Sequence, residues 1–133
     1  MALDLKKEYA VDKNKEIDGV WQDFGSGARM KIARIGNPEY QKVFQKISKP
    51  HRKSIRRGTL ADDVAEKLLV EAMADSILLD WDGVEEGGQV LPYNKENAMR
   101  ILLEYKDLRD QVTEIANEME SFRAEEDQEA EKN

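Results

Sequence analysis

The 133-residue chain contains no cysteine, which removes disulfides, zinc–thiolate sites and thiol nucleophiles together. Its single histidine, His51, sits in Lys-Pro-His-Arg-Lys-Ser among cationic and apolar neighbours. A histidine base needs a nucleophile on one side and an orienting carboxylate on the other, so His51 reads as a solvated loop residue. No apolar run approaches the ~18 residues that span a bilayer, and MALDLKKEYAVD lacks the apolar core of a signal peptide. Internal repeats are missing as well. The expectation is a soluble cytoplasmic protein with one domain, since the length suits one core better than two.

What the chain has in abundance is charge. Charged residues make up 37% and apolar residues 40%, with a net charge of −7 and an isoelectric point near 4.9. The two halves differ in sign: residues 1–57 balance at +7 and residues 58–133 at −14. Such a dipole can steer partners or pair molecules head to tail; a basic loop folding back over acidic helices is the other reading.

The periodicities predict a mainly α domain of about four helices with an N-terminal β-hairpin. Residues 1–16 read as a flexible polar arm. Two β-leaning runs around Gly25-Ser26-Gly27 place the hairpin at 17–35, with Ala28, Met30 and Ile32 on its buried side and the face of the first run ambiguous. A hairpin alone is marginal in water, so it must pack on helices or pair with another strand. Asn37-Pro38-Glu39 starts a helix over about 38–48, and Lys49-Pro50 ends it. A basic connector follows. Thr59, with Asp62 at the capping-box position, opens a helix over about 60–80 whose broad apolar stripe makes it the centre of the core. Asn94 caps a third helix over about 95–106. Leu108, Val112, Ile115, Met119 and Phe122, spaced by 4, 3, 4 and 3, form a narrow seam on a fourth over about 108–123, suited to lying along another helix. Residues 124–133 read as a disordered acidic tail.

Candidate chemistry is sparse. Asp80, Asp82, Glu85 and Glu86 offer oxygen ligands, but their spacing does not match a calcium loop, and a solvated acidic turn is the simpler reading. Gly25-Ser26-Gly27 precedes a strand rather than a helix N-terminus, so it is no phosphate cradle. Paired carboxylates such as Asp62/Asp63 lie where they favour a helix dipole. No enzyme activity, metal or cofactor is expected. Between Tyr40 and Ala61 stand Lys42, Lys46, Lys49, Arg52, Lys53, Arg56 and Arg57 with no acid among them. That run suits nucleic acid, an acidic protein partner or pairing within the chain. Trp21 and Trp81 are core or lid aromatics, or anchors for a partner if exposed.

The order of these features resembles the tail assembly chaperones of long-tailed bacteriophages. The likeness lies in KIARIGNPEYQKVFQK (residues 31–46), in Ala72 to Trp81 ending in DWDG, and in Leu91-Pro92-Tyr93 followed by NKENAMRILLE. It covers roughly residues 15–123 and rests on packing and turn residues. The resemblance implies a small, largely helical protein that keeps the tape-measure protein soluble in the host cytoplasm, helps tail tube subunits assemble around it, and leaves before the virion is finished. A homo-oligomer and a longer frameshifted form fit the same picture. The resemblance defines no contact positions; the partner-binding residues expected from the apolar and charge patterns are the seam (Leu108, Val112, Ile115, Met119, Phe122), Trp81, and Arg52, Arg56 and Arg57. Two other readings stand beside it: a nucleic-acid-associated or regulatory protein using Lys42–Arg57, and a head–tail or tail-completion protein retained in the virion. No membrane partner is expected.

Overall fold

The structure, a computed structural model, describes residues 2–118 and 122–123. Two short helices open it, α1 (Leu5–Tyr9) and α2 (Lys13–Asp18). Each is started by an aspartate, Asp4 or Asp12, whose carboxylate accepts from two backbone N–H groups of the first turn. The stretch expected as a polar arm therefore contains two helices, and its second half is tied to the rest of the molecule. The Asp12 N–H donates to the Phe122 carbonyl at 2.8 Å, Val11 bridges Arg123, and Glu16 pairs with Arg34 at 3.2 Å.

The hairpin consists of β1 (Val20–Gly25) and β2 (Ala28–Ile32). Its turn is tighter than a three-residue loop. Gly25 pairs with Ala28, which leaves Ser26 and Gly27 as a two-residue turn with positive φ at both (54° and 79°). That backbone matches the twist of the flanking strands, and the extra residue is absorbed as a bulge between Asp23 and Gly25. Alternation settles the face of β1: Val20, Gln22 and Phe24 are the more buried, and Trp21 and Asp23 face solvent.

After β2, Asn37 caps α3 (Pro38–Ser48) as expected, its side-chain oxygen accepting from the Tyr40 N–H at 3.0 Å. The chain does not become a loop at Pro50. A 3-10 turn (Lys49–His51) leads directly into α4 (Arg52–Arg57), which Gly58 closes in the left-handed conformation. The helix α5 (Asp62–Ser76) begins later than Thr59. No side chain caps it, and Asp62 and Asp63 occupy its first turn.

The helix expected to reach about residue 80 ends early. The helix stops at Ser76, and Leu78–Asp82 forms β3, antiparallel to β2. The sheet order is β1-β2-β3, so the hairpin is stabilised by a strand contributed 46 positions downstream, with Ile32 opposite Leu78. A second two-stranded sheet, β4 (Glu85–Glu86) with β5 (Gln89–Val90), replaces the expected acidic loop. The fold is therefore mixed α/β rather than mainly α. Two helices complete it, α6 (Lys95–Glu104), capped by Asn94, and α7 (Lys106–Asn117).

The core lies between the inner face of the sheet (Met30, Ile32, Leu78, Trp81) and the helices α5, α6 and α7, which contribute Val70, Met73, Ile101, Leu102 and Val112 among others. At the join of sheet and arm, Gly83 has φ 71°, and a Cβ there would stand 2.7 Å from the Gly27 carbonyl oxygen. The β1–β2 turn and the exit of β3 pass so closely that only glycine fits.

Candidate functional site

An apolar cleft of about 280 Å³ opens where the β4–β5 arm leans over α6 and the start of α7. Its floor is Met30, 4% exposed, and Ile101, 2% exposed. Val84 and Leu91 line it from the two ends of the arm, and Leu108 from α7. The arm exists because Gly87 and Gly88 both take positive φ (59° and 82°), which closes a two-residue turn, and because the Leu91 N–H donates to the Val84 carbonyl at 2.9 Å.

A cluster of three side chains fixes the arm to the helices. Glu86 accepts both guanidinium nitrogens of Arg100, Nη2 at 2.7 Å and Nη1 at 3.1 Å, and the Tyr105 hydroxyl at 2.6 Å. Arg100 also donates to Glu104 one turn further along α6, at 3.0 Å. The hydrogen bonds from Arg100, and then that from Tyr105, hold the Glu86 carboxyl down at about 2. The same contact raises the Tyr105 phenol and the Arg100 guanidinium above their ordinary values. Glu86 is thus ionised at any physiological pH and committed to holding the rim of the cleft.

Behind the cleft a second cluster supports the return of the chain. The Trp81 indole N–H donates to the Leu91 carbonyl at 2.8 Å, and the Tyr93 hydroxyl donates to the Leu78 carbonyl at 2.8 Å. The two rings meet edge to face at 4.9 Å. Burial, and then the nearby Asp80 and Asp75 charges, push the Tyr93 phenol up. Trp81 is 6% exposed and serves the core, so it is not an anchor presented to a partner. Trp21 is the exposed tryptophan; Arg29 lies over its ring at 4.8 Å and reaches Asp82 at 3.7 Å.

The seam expected to receive a partner helix is largely used inside the molecule. Val112 and Phe122 are fully buried, and Leu108 and Ile115 are half-buried against the same core. Met119 lies outside the described residues, as does the tail 124–133. Leu108 is the seam residue that reaches the cleft. Arg52, Arg56 and Arg57 do not approach it; all three are exposed on α4. The cations of residues 42–57 make no ion pair among the described residues, although α3, which carries the first of them, packs on the acidic helix α5. His51 is in the 3-10 turn rather than in a loop.

Sequence reasoning missed Glu86, Arg100 and Tyr105. Glu86 and Arg100 are 14 residues apart, and nothing local marks them as partners. One signal was present: Gly-Gly between Glu85-Glu86 and Gln89-Val90 is a hairpin turn pair, and a hairpin would have placed the Glu86 side chain on a defined face.

Among known protein families, the family model described as YdaY prophage protein matches residues 35–133, from the end of β2 onward. No curated protein matches the chain, and no solved structure does.

Proposed function

The chain belongs to the YdaY prophage protein family, and we propose that within the phage it acts as a tail assembly chaperone, binding the tape-measure protein through the cleft under the β4–β5 arm. The observation that carries this reading is the open apolar concavity built from Met30, Val84, Leu91, Ile101 and Leu108 on an otherwise heavily charged molecule. A tape-measure protein is a long helical chain with apolar seams. A cleft of about 280 Å³ accepts one or two of its apolar side chains, while the ion-paired rim keeps the pocket open. Of the seam, Leu108 takes part as a wall of the cleft, while Val112 is enclosed by the chain's own core.

The same reading makes the protein a binder rather than an enzyme. The carboxyl with the strongest perturbation, Glu86, is shifted down to about 2 by an ion pair, whereas a general acid or base needs a value near the working pH. Its place of action is the host cytoplasm, and it is absent from the finished virion; finding it in purified virions would favour a tail-completion role instead.

Co-expression tests the assignment. The parent protein keeps an otherwise insoluble tape-measure fragment of the same prophage in solution. Val84→Glu with Leu108→Glu, both half-buried on the cleft wall, abolishes that rescue while the circular dichroism spectrum is retained. Equal rescue by parent and double variant would remove the cleft from the account.

A further inference from the structure

Residues 38–57, none of which lines the cleft, form a separate charged surface. From Pro38 to Arg57 the backbone runs as a helical rod in two segments, α3 and α4, joined by the 3-10 turn over Lys49–His51. Val43, Phe44 and Ile47 on α3 are partly buried, and α3 packs on α5. The cations Lys42, Lys46, Lys49, Arg52, Lys53, Arg56 and Arg57 are all exposed, and none is neutralised by a described acid. Lys42, Lys46 and Lys49 follow one another at intervals of 4 and 3 along α3 and its end, and Lys53 and Arg56 at an interval of 3 on α4, so each helix carries its cations along one side. The only acid in the rod is Glu39, in its first turn.

We propose that this rod binds the phosphate backbone of double-stranded nucleic acid without reading its sequence. The sixteen residues from Lys42 to Arg57 follow a helical path of about 22 Å, which faces roughly six phosphates along one strand at 3.4 Å each. A duplex is favoured over an acidic protein because a protein interface needs an apolar centre and is depleted in lysine. The rod exposes a single large apolar side chain, Ile55, at 44%. Phosphate contact requires only the cations. The net charge of −7 does not forbid it, since charges beyond about 8–10 Å are largely screened at physiological salt.

The test is fluorescence anisotropy of a labelled 20-base-pair duplex of arbitrary sequence, titrated with the full chain between 50 and 200 mM KCl. The expected result is binding that weakens with salt along a double-logarithmic slope of about −3 to −6, equal for unrelated sequences. Arg52→Glu/Arg56→Glu/Arg57→Glu should bind at least tenfold more weakly, and the corresponding arginine-to-lysine triple should bind like the parent. Because glutamates at the end of α4 oppose its dipole, Lys42→Gln/Lys46→Gln/Lys49→Gln on α3 serves as a second probe and should reduce the slope by about 3. No α4 residue is buried, so the arginine-to-lysine triple should melt at the parent temperature and the glutamate triple within a few degrees of it. Failure of the parent to bind, or equal binding by both charge-removing variants, overturns the proposal. Tighter binding of labelled poly-L-glutamate than of the duplex would assign the rod to an acidic protein and also overturn it. Self-association of the parent at 50 mM KCl, lost in the glutamate triple and unaccompanied by duplex binding, would assign it to a second copy of this chain.

Discussion

Three donated hydrogen bonds converge on Glu86, and they favour its ionised form over the neutral one. An unfolded glutamate titrates near 4.3, whereas in the folded chain this one is held at about 2. A folded value below the unfolded one means that the charged carboxylate stabilises the fold above about pH 4.5 and that this contribution fades as pH falls toward 2. The arm should therefore loosen in acid before the core does. Carboxyl-carbon NMR should give a Glu86 midpoint close to 2; a midpoint near 4.3 would show that the Arg100 and Tyr105 contacts are not made in solution. At this scale the sequence was readable where an interaction is local. Asn37 and Asn94 could be named as caps because the N–H each receives is three residues away. The Glu86–Arg100 pair could not, because its partners meet only after the Gly87-Gly88 turn and α6 are both in place.

Elements were readable to the extent that their apolar pattern belongs to one period. The amphipathic pattern of α3 and α6 fixed their type and their starts. Ile77-Leu78-Leu79 is a short apolar run that fits either a helix end or a buried strand, and the choice was made by pairing with β2, far away in sequence. The seam on α7 poses a related ambiguity, since periodicity identifies a face that will be covered without saying what covers it. Here it is covered from within: Val112 is fully enclosed by the core it shares with Ile101 and Leu102. Val112→Asp should consequently cost about 3–5 kcal/mol, enough to unfold much of the protein, because it buries an unpaired charge and forfeits a packed side chain. Urea denaturation followed by circular dichroism measures it. A stable, normally melting Val112→Asp would mean that α7 is not seated as described and that its seam is free for a partner after all.

Taken as a whole, the molecule separates its surfaces by chemistry. The inner face of the three-stranded sheet is sealed by α5, α6 and α7, and its outer face carries Arg29 in contact with both Trp21 and Asp82. The positive charge of the first half is displayed on the helical stretch 38–57, and the apolar opening sits under the β4–β5 arm. The sequence announced the charge separation in its balance of +7 and −14, but not that the basic run would be helical and unpaired. Helix propensity in RKSIRR is ordinary, and continuation through Pro50 depends on the 3-10 turn that accommodates it.

Methyl NMR tests the partner-binding account most directly, with labelled isoleucine, leucine, valine and methionine side chains titrated with a helical segment of the tape-measure protein. The account predicts that Met30, Val84, Leu91, Ile101 and Leu108 shift together and saturate at one affinity, while Val70 and Val112 stay in place. Shifts confined to other residues, or no shift at millimolar peptide, would contradict it.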